Sequence, residues 1–286
     1  MIYSLFHEWL DLFPRIFNKV KRLNSSDVSE HNKANLSDSQ NTDYESALRL
    51  ILSSEKKLSK FRKIFSYREI LEHVDYRLGR EYLAELSALD SSFLNNLDLF
   101  KRNDEFGSPR TYKYSGVGRI SPTTLRYVYV AAELRKNFGN SNFGKVAEIG
   151  AGYGGQASIL HKLEMFSSYS IFDLDTAKEL ISIYLEKQGV QNYDFPTLNG
   201  KDHSFDLVIS NYAFSELPKD LQLAYLERVI LKSSKGYMQM NSGKSNFTKR
   251  SHGKITIEEL LQKIPNSRVL PEIPLSGPDN YLLIWD

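Results

Sequence analysis

The chain has 286 residues, with 37 Lys and Arg against 35 Asp and Glu and a formal charge of +2. That near balance excludes the strong positive field of a nucleic-acid binder. The absence of cysteine excludes disulfides, thiolate metal sites and a cysteine nucleophile. No apolar run approaches the roughly 20 residues that span a bilayer.

Residues 1–23 read as an amphipathic helix, with Leu5, Phe6, Trp9, Leu10, Phe13, Phe17 and Val20 at helical spacing and Pro14 bending it. Two readings stand: a helix packed on protein, or an interfacial helix in peripheral contact with a membrane. The start has acids within its apolar stretch and no basic leader, so it is not read as a secretory signal. Residues 24–42 contain only Val28, Ala34 and Leu36 as apolar residues and read as a polar linker. Residues 43–106 carry apolar positions three and four apart, as in Leu48, Ile51 and Leu52 or Phe61, Ile64 and Phe65, and read as three or four helices. Three glycines and a proline break the pattern over 107–121, which closes a helical subdomain spanning 43–121. Ser121 followed by Pro122 opens a helix expected to run to about Asn137, with Gly139 as its stop.

From Lys145 short apolar runs alternate with amphipathic stretches. VAEIG, SYSIFD, FDLVIS, GYMQM and YLLIW read as strands, and helices are expected near 155–165, 176–188, 218–232 and 257–264. Thr256 and Glu259 form a capping box before the last of these. The alternation predicts an α/β domain over 122–286 with a mostly parallel, doubly wound sheet.

The informative string joins the first of these strands to a helix: Val146-Ala-Glu148-Ile-Gly150-Ala-Gly152-Tyr153-Gly154-Gly155-Gln156. Glycines permit a sharp turn and close approach of a ligand, and the helix amino end offers unpaired N–H groups. Gly150, Gly152 and Gly155 satisfy G-x-G-x-x-G, and Asp173 follows at the end of the next strand, where a ribose-binding acid belongs in a dinucleotide fold. Taken alone, the glycines permit NAD. Glu148 alters the reading, because a carboxylate at the strand end repels a pyrophosphate and suits a ligand with a positive end.

Glu-x-Gly-x-Gly-x-Gly resembles motif I of the class I S-adenosylmethionine-dependent methyltransferases. That resemblance implies a Rossmann-like sheet with an antiparallel last strand, supplied here by Asn280–Trp285. It implies that Glu148, Gly150, Gly152, Tyr153, Gly154 and Gln156 surround the methionine part of S-adenosylmethionine. It also implies that Asp173 takes the ribose hydroxyls, and that Asn211, ending Ser204–Asn211, lies beside the reactive methyl. The strings Gly107-Ser-Pro109, Ile120–Tyr127, Glu148–Gln156 and Ser210-Asn-Tyr-Ala-Phe-Ser-Glu216-Leu resemble sugar O-methyltransferases of bacterial surface-polysaccharide synthesis, across about 65–286. That implies a carbohydrate acceptor such as a nucleotide sugar, a sialic acid or a lipid-linked glycan. A methyl donor made in the cytoplasm, with no export signal read at the start, gives a cytoplasmic enzyme as the expectation, with the inner face of the membrane as an alternative place.

Glu216, in the loop after the fourth strand, is the first candidate for a general base, and His252 the second. Tyr212 is a candidate for lining the cofactor or acceptor pocket, and the resemblance implies that Arg126, with Tyr127, covers the cofactor site on the substrate side; the alternative for Arg126 is a salt-bridge partner. The stretch from Arg228 to Ile257 has no acid, and its Lys244, Lys249, Arg250 and Lys254 suit an anionic acceptor or form a solvated basic face. Some sugar methyltransferases use a divalent metal, but no compact cluster of carboxylates or histidines here demands one. Methylation of another small molecule or of a protein remains open, as does a non-catalytic binding module.

Overall fold

The computed structural model describes residues 42–139, 142–200, 204–241 and 253–286. The expectations for residues 1–23, and for the linker apart from Thr42, lie outside them. Three helices open the described chain: α1 (Thr42–Leu52), α2 (Phe65–Leu71) and α3 (Tyr76–Leu89), with short helical turns between and after them. On α1 and α3 positions that the spacing marks are buried, Leu48 and Ile51 on the first and Tyr82 and Leu86 on the second. On α2 the spacing misleads: Tyr67 is the buried residue, and Phe65 is 67% exposed. Asp75 caps α3 by accepting from the Leu78 amide at 2.8 Å.

The segment expected to be an irregular break contains a small hairpin, in which β1 (Tyr112–Tyr114) pairs antiparallel with β2 (Gly118–Ile120). Strands of three residues are too short for an alternating pattern to be visible in sequence. Helix α4 (Pro122–Phe138) begins and ends as expected. The Ser121 hydroxyl accepts from the Thr124 amide at 3.1 Å, Pro122 takes the first turn, and Gly139 adopts φ 69° as the stop.

The main sheet has seven strands: β3 (Lys145–Ile149), β4 (Ser168–Phe172), β5 (Tyr193–Asp194), β6 (Phe205–Asn211), β7 (Ser233–Met240), β8 (Arg268–Pro271) and β9 (Tyr281–Trp285). Their order is β5-β4-β3-β6-β7-β9-β8. All neighbours run parallel except β9, which is antiparallel to both β7 and β8. The two edge strands, β5 and β8, were not foreseen. One is two residues long; the other is mostly exposed and ends in Pro271, so neither offers a hydrophobic run. The connecting helices are α5 (Gly155–Lys162), α6 (Asp175–Gln188), α7 (Ala213–Glu216), α8 (Lys219–Arg228) and α9 (Ile257–Lys263). The capping box at Thr256 and Glu259 is formed. The helix expected over 218–232 stops at Arg228, and residues 230–232 make a tighter turn.

Side chains alternate across the sheet, so two cores form. On one face Val146, Tyr169, Leu207 and Tyr237 pack with α4 and the amino-terminal helices, through Leu48, Phe61, Tyr67, Tyr82 and Val128. On the other, Ala147, Val208 and Met238 pack with Leu226, Leu260 and Trp285. The first face holds the polar groups described below.

One buried ion cluster ties the helical segment to α4. The Arg62 side chain is fully buried and pairs with Glu72 and, at 3.1 Å, with Asp104. It also donates to the Asn103 carbonyl at 3.2 Å and to Ser121 Oγ at 3.1 Å. Asp104 accepts from the Ser121 amide and from the hydroxyls of Ser121 and Thr124, and Glu72 accepts from Thr123. Removing one member of such a cluster strands the remaining charges in a dry interior, at a cost of about 3–5 kcal/mol. Arg62→Ala is therefore expected to lower the unfolding free energy by about that amount in urea titrations. A loss below about 1 kcal/mol would place the cluster in the class of exposed, weakly coupled pairs.

Candidate functional site

The chain leaves β3 for β4 on one side, while β6 lies on the other. The carboxyl ends of β3 and β6 therefore flank a topological switch point, where open α/β sheets bind ligands. The glycine-rich turn sits there. Gly152, at φ 63°, adopts a left-handed conformation, and a Cβ on it would meet only Leu71, at an ordinary 3.5 Å. Among the glycines of the turn it is the one where a Cβ would meet no contact shorter than 3.5 Å. Gly150 and Gly155 are glycines for packing: a Cβ would fall 2.1 Å from the Ala213 side chain and 2.4 Å from the Tyr127 ring respectively.

The expected site residues divide into those that face the switch point and those that do not. Glu148 ends β3 with its carboxylate buried. Tyr169 donates to its Oε2 at 2.8 Å and Asn211 Nδ2 to its Oε1 at 3.5 Å. Burial pushes the Glu148 carboxyl up to about 8, against the lowering effect of the Tyr169 bond. Asn211, at the end of β6, leaves its Oδ1 buried without a donor, as does Gln239, its register partner on β7. Asp173 follows β4, where its Oδ2 accepts from the Ala151 amide and its Oδ1 from the Leu174 amide, each at 2.8 Å. Burial raises its carboxyl to about 6, with those bonds opposing. Asp173 thus shapes the glycine turn, with the Gly152 backbone also lowering its carboxyl.

Tyr153 and Gln156 correct the sequence reading. The Tyr153 ring is fully buried among Phe61, Tyr127 and Tyr184, with the Arg62 guanidinium 4.7 Å from its centroid. Left-handed residues on both sides, Gly152 and Gly154, turn it under the loop into the core. Gln156 is also fully buried and donates to the Tyr127 carbonyl at 3.1 Å. These two side chains support the turn from beneath.

Arg126, on the first turns of α4, is 6% exposed and forms no ion pair with a carboxylate among the described residues. Its Nε has no hydrogen-bond partner, and its guanidinium lies 5.3 Å from the Tyr127 ring centroid and 5.8 Å from that of Tyr212. Glu148 and Arg126 feel each other electrostatically but do not touch. Tyr212 is held at φ 70°, costly for a bulky residue. Its hydroxyl meets Glu272 and, at 2.9 Å, Ser276. Glu216 ends α7 half-buried, with its Oε1 accepting from Asn241 at 3.1 Å at the end of β7. Lys254 bonds the adjacent Ser215 carbonyl at 2.7 Å. His203, Lys244, Lys249, Arg250 and His252 lie outside the described residues.

The amino-terminal helices add groups that the sequence did not assign to the site. Leu71 approaches Gly152, and buried Tyr44 is within electrostatic reach of Asp173 and Glu216. His73 is exposed, yet surrounding protein, followed by the Arg126 charge, lowers its imidazole to about 4. Helical periodicity says which residues are buried but not which strand end they will cover. Among the described residues no three His, Asp or Glu side chains are grouped to hold a metal ion. No described helix is long and apolar enough to cross a membrane.

No protein-family model matches the chain, and no curated protein matches it. Solved structures with a similar fold include the methyltransferase domain of bacterial CtHen1, at 15% identity and TM-score 0.43, covering 56% of this chain and 96% of that one. An S-adenosylmethionine-dependent methyltransferase from Clostridium acetobutylicum gives 10% identity and TM-score 0.42, covering 56% and 89%. A ribosomal protein L11 methylase from Lactobacillus delbrueckii gives 14% and 0.40, covering 57% and 78%. At such identities and TM-scores the likeness carries no argument about this chain; its fold rests on the strand order and register given above.

Because the Glu148 carboxyl is raised from 4.5 to about 8, its contribution to stability is full below about pH 4.5 and is lost as pH rises through about 8. Glu148→Gln carries no such charge. The variant's melting temperature is expected to gain on the wild type steadily from pH 5 to pH 8, without ligand. Parallel profiles would show that the carboxyl titrates as an exposed group.

Proposed function

We propose that the protein is an S-adenosylmethionine-dependent methyltransferase. The observation that carries the reading is a buried acid and a buried arginine, Glu148 and Arg126, at one strand end without an ion pair between them. A buried arginine charge is normally paired, and a buried carboxyl raised to about 8 gives up its proton readily only when a cation arrives beside it. A zwitterionic amino-acid end answers both needs: its ammonium meets Glu148 and the orphaned Asn211 Oδ1, and its carboxylate meets Arg126. A dinucleotide pyrophosphate would instead meet the Glu148 carboxyl. Asp173 stands at the end of the neighbouring strand, in position to accept from ribose hydroxyls, and Gly152 leaves room against the turn.

S-adenosylmethionine would supply an activated sulfonium methyl, so the protein's task is chiefly alignment of the acceptor oxygen, a contribution of about 7–11 kcal/mol. Leu71 lies against Gly152 and buried Tyr44 is within electrostatic reach of Asp173, so the helical segment would help to shield the reacting groups from water. Glu216 is the group we assign to take the acceptor's proton, and its Asn241 bond orients it. The acceptor we infer is a carbohydrate hydroxyl, as in surface-polysaccharide synthesis, supported by the strings around Ser121, Glu148 and Ser210 that resemble sugar O-methyltransferases.

Calorimetric titration with S-adenosylhomocysteine and, separately, with NAD tests the cofactor. Saturable binding of the first alone is expected, lost in Glu148→Gln and unchanged in Glu216→Gln. Glu216→Gln is expected to slow methyl transfer to a carbohydrate acceptor by about 10²–10⁴-fold. Binding of NAD alone would overturn the reading.

A further inference from the structure

A second site lies outside the glycine turn. Lys63 and Arg68, from the start of the helical segment, and Arg110 and Arg119, from the hairpin, line a cleft of about 430 Å³ with Thr111, above buried Arg62. No carboxylate lines it. Both lining segments are free of acids: residues 56–68 hold six cations and residues 106–121 hold three. The two acids nearest its floor, Glu72 and Asp104, are already bonded to Arg62. Arg68 has only a neighbouring pair with Glu69 at 3.3 Å, and Arg119 donates to the Thr111 carbonyl at 3.2 Å. The other two, Lys63 and Arg110, are exposed.

The two walls are fixed to each other. The Arg62 amide donates to the Gly107 carbonyl at 3.0 Å, and Ser108 Oγ donates to the Ser59 carbonyl at 3.2 Å. Gly107 is left-handed, and a Cβ there would fall 2.4 Å from Phe61 and 2.9 Å from Arg62, so the hairpin base sits tightly on the helical wall. Phe65, 67% exposed and outside the cleft lining, lies against the lining residue Arg68, whose guanidinium is 5.4 Å from its ring centroid.

Four like charges held around one concavity repel one another, and a bound polyanion removes that cost. Guanidinium forks match phosphoryl oxygens in pairs, and a lysine adds a mobile point charge. We propose that this cleft binds the diphosphate group of a ligand, with Lys63, Arg68, Arg110 and Arg119 as its contacts. Such a group occurs in nucleoside diphosphates and at the head of prenyl diphosphates. The exposed Phe65 ring offers a face for the part attached to it. The assignment does not depend on the reading of the glycine turn, since no residue is shared.

The test is calorimetry on the full chain at moderate salt with inorganic pyrophosphate, a nucleoside diphosphate and a short prenyl diphosphate in detergent. Pyrophosphate is expected to bind at one site and to weaken at least about tenfold in the double variant Lys63→Gln, Arg110→Gln. Both positions are exposed, so the variant's melting temperature is expected to match the wild type, which separates binding from folding. Tighter binding of one of the two larger probes identifies the source of the diphosphate. No saturable pyrophosphate binding, or equal affinity in the double variant, would overturn the proposal whether or not S-adenosylhomocysteine binds.

Discussion

The buried charge of Arg62 constrains everything around it. A guanidinium cannot shed its proton in a protein, so burying one is costly unless acids and acceptors surround it. Glu72 and Asp104 supply the charge, and Asn103 and Ser121 supply further acceptors. Those same acids bond Ser121, Thr123 and Thr124, which fixes the first turn of α4. Arg126 and Tyr127 follow on the next turn, so one ion cluster sets their place over the strand ends. On its other side the guanidinium lies over Tyr153, the aromatic wedge under the glycine turn. Both the turn and the helix that covers it are therefore referenced to one side chain.

Against this satisfied cluster stand groups only a few residues away that are not satisfied. Glu148 keeps a raised carboxyl, Asn211 Oδ1 and Gln239 Oε1 lack donors, and Arg126 lacks an acid. Structures that bury polar atoms usually pair them. Under the proposed function, the partners that Glu148, Asn211 and Arg126 lack are those a bound ligand would bring. The strained backbone of Tyr212, at the end of β6, belongs to the same region.

The sheet was legible because its central strands are continuous apolar runs, and α4 because Ser121, Pro122 and Gly139 punctuate it by a direct mechanism. Edge strands β5 and β8 and the β1–β2 hairpin were not, since their residues are few and half exposed. In the glycine turn, sequence marked the place but not the division of labour. Gly150 and Gly155 make room for Ala213 and Tyr127, and only the packed structure shows that Gly152 is the one with the least crowded side. For the same reason Tyr153 read as a pocket residue, when flanking left-handed glycines send it inward. Tyr44, Leu71 and His73 were beyond reach, because which helix covers which strand end is a tertiary fact. The basic cleft did have a signal, two acid-free segments, but nothing local shows that they meet.

A crystal structure with S-adenosylhomocysteine tests the central claim most directly. The account predicts the ligand's ammonium within hydrogen-bond distance of Glu148 and Asn211, its carboxylate on the Arg126 guanidinium, and its ribose at Asp173. A ligand seated elsewhere, or one whose amino-acid end leaves Glu148 and Arg126 without partners, would contradict it.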